Sequence, residues 1–91
     1  KHKALLARAN KLLQEEARHP SRDPNPASEI GALLLQIRQV RQGLYWMDEA
    51  LSRDPDHQPT HQFLAEYFEK KGDSERAALH RRHLKGISQT K

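Results

Sequence analysis

Residues Gly43 to Arg82 read GLYWMDEALSRDPDHQPTHQFLAEYFEKKGDSERAALHRR, and this stretch decides the fold. Three apolar runs of helical spacing are separated by two breaks. Leu44, Met47 and Leu51 share one helical face with Ala50 beside them, and Asp54-Pro55-Asp56 stops that helix. Phe63, Leu64, Tyr67 and Phe68 form the face of the next helix, which begins near Pro59-Thr60 and ends at Gly72. Lys70 and Lys71 suit the negative end of its dipole, and Gly72 is free to take the left-handed C-terminal conformation. Asp73 or Ser74 then caps a last helix carrying Ala77, Ala78, Leu79 and Leu84. That helix is expected to run to about Lys85, leaving Gly86 to Lys91 as a polar, frayed tail.

Working back toward the N-terminus, Leu5, Leu6, Ala9, Leu12, Leu13 and Ala17 make one apolar stripe along residues 3–18. Pro20, Pro24 and Pro26 are expected to end that helix and hold a linker extended. A second helix starts near Pro26 or Ala27, with Glu29 at its positive end, and places Ile30, Leu33, Leu34 and Ile37 at i, i+3, i+4 and i+7. Gly31 inside it costs about 1 kcal/mol relative to alanine, which predicts that another helix crosses closely there. A turn at Arg38 to Arg41 leads into a third helix, Gln42 to Arg53, where Gly43 is a second position at which bulk would obstruct packing. The chain is thus all-α, five helices joined by short turns that force antiparallel neighbours.

Composition agrees. Ninety-one residues make one domain at most, with a thin core. All five prolines fall between residues 20 and 59, as punctuation between helices. A net charge of +4 loosely favours acidic partners and is short of a nucleic-acid footprint. With no cysteine there is no disulfide, thiolate zinc site or thiol chemistry. No apolar run approaches the roughly 20 residues of a membrane span, so a soluble protein is expected, its compartment, cytoplasmic or periplasmic, left open. The start at Lys1, inside a helical pattern and without Met, reads as a fragment of a longer protein.

The decisive pattern is internal. Shifted by 34 positions, Ile30 falls on Leu64, Gly31 on Ala65, Leu34 on Phe68, Gly43 on Ala77 and Ala50 on Leu84. Shifted likewise, Ala9 falls on Gly43, Leu13 on Met47 and Ala17 on Leu51, with a slip of about one residue in the proline-rich linker. A helix-pair repeat of this length resembles the tetratricopeptide repeat (TPR). Ile30-Gly31, Leu34, Gly43, Met47, Ala50 and Asp54-Pro55 carry the resemblance in residues 24–57. Leu64-Ala65, Phe68, Gly72-Asp73 and Ala77 carry it in residues 58–91. Residues 1–19 resemble the second helix of a truncated preceding repeat.

The resemblance implies a single TPR-like domain over 1–91, a right-handed superhelix of about two and a half repeats. Arg38 departs from it where the turn glycine is usual, His61 where a large aromatic is common, and Leu84 where alanine is. Arg81 stands where an apolar residue would pack onto a further repeat. With Arg82 and His83 it suits a polar capping helix and a C-terminal position in the parent protein. Leu5, Leu6, Leu12 and Leu13 lack such a cap, so helix one is a candidate for self-association.

Among six histidines, His57 and His61 are separated by Pro59, and His80 and His83 are i, i+3. None has a carboxylate in metalloprotease spacing, so packing or solvated histidines are expected and no metal. Glu15-Glu16 and Asp48-Glu49 splay as adjacent residues on helices. No nucleophile, base and orienter are aligned, and there is no phosphate loop, so neither catalysis nor a cofactor is expected. Arg76, Arg81, Arg82 and Lys85 lack interleaved aromatics, which argues against nucleic acid. Trp46 is expected to be partly buried against a neighbouring helix.

The resemblance also implies a concave groove lined by the first helix of each pair: Asn25, Ser28, Ala32, Leu35, Gln36, Gln62, Glu66, Glu69 and Lys70. Ser28, Ala32, Gln62 and Glu66 stand where chaperone-binding relatives place Lys and Asn, which argues against a carboxylate clamp. Glu66 and Glu69 would repel an acidic peptide and favour a basic one. The function so implied is a non-catalytic protein-interaction or scaffolding module that binds a peptide or helix in this groove. The alternative is a structural domain that packs on its own parent or self-associates through helix one.

Overall fold

A computed structural model describes residues 2–84. Among these the chain is all-helical, with no strand: α1 Lys3–Arg18, α2 Pro24–Gln36, α3 Val40–Arg53, α4 Gln58–Lys70 and α5 Ser74–Arg81. It divides after Pro55 into two compact units, unit 1 with α1 to α3 and unit 2 with α4 and α5. Lys85 and the expected polar tail from Gly86 lie outside the described residues.

In unit 1, α2 packs against both α1 and α3. Its core is Ala9, Ile30, Leu33 and Leu34, with Leu5, Leu12, Leu13, Ile37 and Trp46 packed against it. Ile30 and Met47 are wholly buried, each worth about 2 kcal/mol in area removed from water. The two glycines explain how closely α2 and α3 cross. A Cβ at Gly31 would lie 2.9 Å from the carbonyl oxygen of Gly43 and 3.0 Å from the Met47 backbone nitrogen. A Cβ at Gly43 would lie 2.7 Å from Leu35 Cγ. At the corresponding positions of unit 2, Ala65 and Ala77 are buried.

α2 begins at Pro24, earlier than the linker reading placed it. Asp23 is extended (φ −71°, ψ 123°) and its side chain accepts the Asn25 N–H. Proline tolerates the first helical turn, where its missing N–H has no intrahelical partner, so Pro24 and Pro26 open α2 rather than keeping a linker straight. α3 likewise starts two residues early, at Val40, from a Gln39 whose side chain makes no cap bond.

The end of α2 and the end of α4 are built alike, 34 residues apart. The Gln39 N–H bonds the Leu34 carbonyl at 2.8 Å and the Arg38 N–H bonds that of Leu35 at 3.1 Å. The Asp73 N–H bonds the Phe68 carbonyl at 2.8 Å and the Gly72 N–H bonds that of Glu69 at 3.1 Å. These are paired Schellman bonds, which satisfy the last orphan carbonyls of each helix. The residue at the turn is left-handed in both, Arg38 at φ 70° and Gly72 at φ 83°. Helix starts keep the same interval, Pro24 to Gln58 and Val40 to Ser74.

In unit 2, α5 packs on α4 around Leu64, Ala65, Phe68, Ala77 and Leu84, all buried. Asp73 caps α5 by accepting the Arg76 N–H at 3.1 Å. α5 stops at Arg81, short of the expected end. The His83 N–H bonds His80 and the Leu84 N–H bonds Arg81, i→i−3 bonds that tighten the last turn into 3₁₀ geometry.

Candidate functional site

The groove residues expected on α2 and on α4 belong to different units. On α2, Asn25 is exposed and gives its N–H and Nδ2 to Asp23 Oδ1 at 3.0 Å each. Ala32 is half-buried and Gln36 exposed at the helix end. Ser28 is buried, and Leu35 is buried against Gly43 of α3. Leu35 is therefore occupied in holding the two helices together. Asn25 lines a cleft of about 580 Å³ shared with α1 and the 19–23 linker, walled by Glu15, Glu16, Asp23 and Glu29.

On α4, Gln62, Glu66, Glu69 and Lys70 are all exposed. The structure brings the first three together. With Gln58 and Arg81 they wall a cleft of about 550 Å³ whose floor is Ala65 and Leu84. Lys70 lies one residue beyond, in the last turn of α4. Arg81, read from the sequence as part of a solvated cap, ion-pairs with Glu69. Gln58 Nε2 donates to the carbonyls of Asp56 and His83 at 3.0 and 2.8 Å. The cleft thus offers one carboxylate, Glu66, beside an ion pair and two amide side chains over a small apolar floor.

The histidines of unit 2 also converge. His57 Nδ1 lies 2.7 Å from Thr60 Oγ1, both residues buried. His61 Nδ1 lies 3.0 Å from His80 Nδ1, and the His61 ring stacks on His83 with centroids 4.2 Å apart. Sequence spacing grouped these residues as 57 with 61 and 80 with 83. A second signal is their reflection about Gly72, since residues equally far from a helix-hairpin turn face one another. His61 and His83 are such a pair, and so are Phe68 and Arg76, whose guanidinium lies 5.5 Å from the ring centre. Among the described residues no three His, Cys, Asp or Glu side chains are gathered so as to hold a metal ion.

A third feature lies in unit 1. Leu13, Leu34 and Trp46 form an apolar groove of about 350 Å³ rimmed by Arg41, Gln42 and Tyr45. Tyr45 is 61% exposed and sits edge-on to Trp46 at 5.5 Å. Elsewhere in unit 1, Arg53 ties the elements together. Its Nη2 donates to Glu16 at 2.8 Å, its Nε to Glu49 at 3.1 Å and its Nη1 to the Asp23 carbonyl at 2.9 Å. Burial alone would lower its proton affinity, but the hydrogen bonds to Glu16 and Glu49 outweigh that and hold it above the usual arginine value.

No helix among the described residues is long and apolar enough to cross a membrane. No protein-family pattern, curated protein or solved structure matches this chain.

Proposed function

We propose that the chain is a non-catalytic interaction module of tetratricopeptide type, its first helices α2 and α4 lining the concave side of a right-handed superhelix that takes a peptide or helix. One observation carries the reading: two helix pairs open at the same 34-residue interval and close their inter-helix turns with the same pair of backbone bonds. Repeats of that kind stack to bury a continuous core and leave one face for partners. The α4 cleft suits an extended segment, with Glu66 free to meet a lysine or arginine and Gln62 able to bond a peptide backbone.

The test uses surface residues only. A panel of extended peptides, matched in length and differing in Lys/Arg or Asp/Glu content, is titrated against wild type and a Gln62→Arg, Glu66→Lys double variant. The basic peptides should bind wild type and lose about tenfold in affinity, roughly 1.4 kcal/mol, to the variant. Equal binding by both proteins sinks the groove reading.

A second reading has an observation of its own. Leu6 on α1 is 46% exposed, beside half-buried Leu5, Leu12 and Leu13. On this reading α1 self-associates or packs on the parent protein. If α1 self-associates, light scattering at micromolar concentration should report a dimer that Leu6→Glu dissolves, and a wild-type monomer at every concentration ends the self-association branch.

A further inference from the structure

His61 on α4 is 3% exposed, and its Nδ1 faces the Nδ1 of His80 on α5 at 3.0 Å. An imidazole nitrogen donates when it carries a proton and accepts when it does not. A contact between two Nδ1 atoms at hydrogen-bond distance therefore holds one proton between them. Protonating both sets two N–H groups head to head, and the contact is lost. His61 is further held by its parallel stack on His83, and His80 by its stack on Phe68 at 5.9 Å.

From this juxtaposition we infer that His61 and His80 form a proton-dependent clasp, closing α5 onto α4 when the pair shares a single Nδ1 proton and releasing α5 on acidification. α5 has eight residues, too few to stay helical without a partner, so its contacts with α4 decide whether it is folded. The charged groups around the clasp come from both sides. Asp56 meets His83 Nδ1 at 3.5 Å, and Glu69 is engaged by Arg81. Arg76 stands over the Phe68 ring on which His80 stacks. His57 is turned to Thr60, and Arg82 is exposed beside His83.

The doubly protonated, released pair carries at least one proton more than the closed pair, so acidification favours release.

The experiment is amide hydrogen exchange on the whole chain, read by NMR as protection factors corrected for intrinsic rate, at about pH 7 and about pH 5. Wild-type α5 amides should lose tenfold or more in protection, while α2 amides in unit 1 serve as the internal reference. In His80→Gln, whose amide can accept or donate without charge, the loss should be under about threefold. A flat wild-type profile overturns the clasp, and so does a loss that His80→Gln reproduces in full. Should His80→Gln lack protected α5 amides at pH 7, His61→Gln is judged by the same two criteria. If neither variant keeps α5 folded at pH 7, the wild-type profile decides.

Discussion

Arg38 and Gly72 occupy the same left-handed station at the ends of α2 and α4, and they predict opposite responses to substitution. A side chain at positive φ costs about 1 kcal/mol that glycine avoids, partly offset by glycine's looser unfolded state. Arg38→Gly should therefore stabilise the protein by about 0.5 kcal/mol. Gly72→Ala should cost about 1 kcal/mol from conformation alone, because a Cβ there meets nothing within 4 Å. Urea midpoints on the two variants check both signs. Gly31 differs in kind, since its Cβ would collide with α3 backbone. Gly31→Ala should cost about 2 kcal/mol through overpacking, and no rotamer change can relieve it. The close approach at Gly31 and Gly43 was legible in the sequence, because glycine inside a helix has little other use. The left-handed turn at Arg38 was legible only by its place in the repeat, since its own side chain opposes that conformation.

At the scale of elements, the helices were legible from their apolar periodicity, and their ends were legible only where a capping residue marks them. Asp73 announced α5, whereas Gln39 announced nothing before α3. Pro24 and Pro26 are ambiguous by nature, because proline serves an extended linker and a first helical turn equally well. What the sequence hid altogether is the junction made by Arg53, which joins the ends of α1 and α3 to the 19–23 linker. Arg53 and Glu16 are 37 residues apart and each only 10% exposed. Removing the guanidinium strands a nearly buried carboxylate, so Arg53→Met should cost about 3 kcal/mol. Arg53→Lys should recover only part of that, because an ammonium cannot fork to Glu16, Glu49 and a carbonyl together. Thermal melts of the two variants beside wild type would show an intermediate Lys value, and equal melting of all three removes the claim.

At the scale of the molecule, the 34-residue interval was written in the sequence as small residues on small and apolar on apolar. It reappears in helix starts and in backbone bonds. The candidate site was legible in part. Gln62, Glu66 and Glu69 share one cleft, because i, i+4 and i+7 lie along one face of α4. Ser28 and Leu35 were not legible as buried, since burial there depends on what packs over α2 and not on α2 itself. Arg81 was read as solvated because a lone arginine gives no sign of its partner until two helices set it beside Glu69.

Trp46 gives one more consequence. It is the single tryptophan of the chain, half-buried against the core that α1 and α2 build. Its fluorescence is consequently a built-in gauge of unit 1, with no competing indole to blur it. Loosening α2 from α3 by Gly31→Ala should admit water to the ring and move its emission toward longer wavelength. An unmoved spectrum would mean that the groove around Leu13 and Leu34 survives the clash intact.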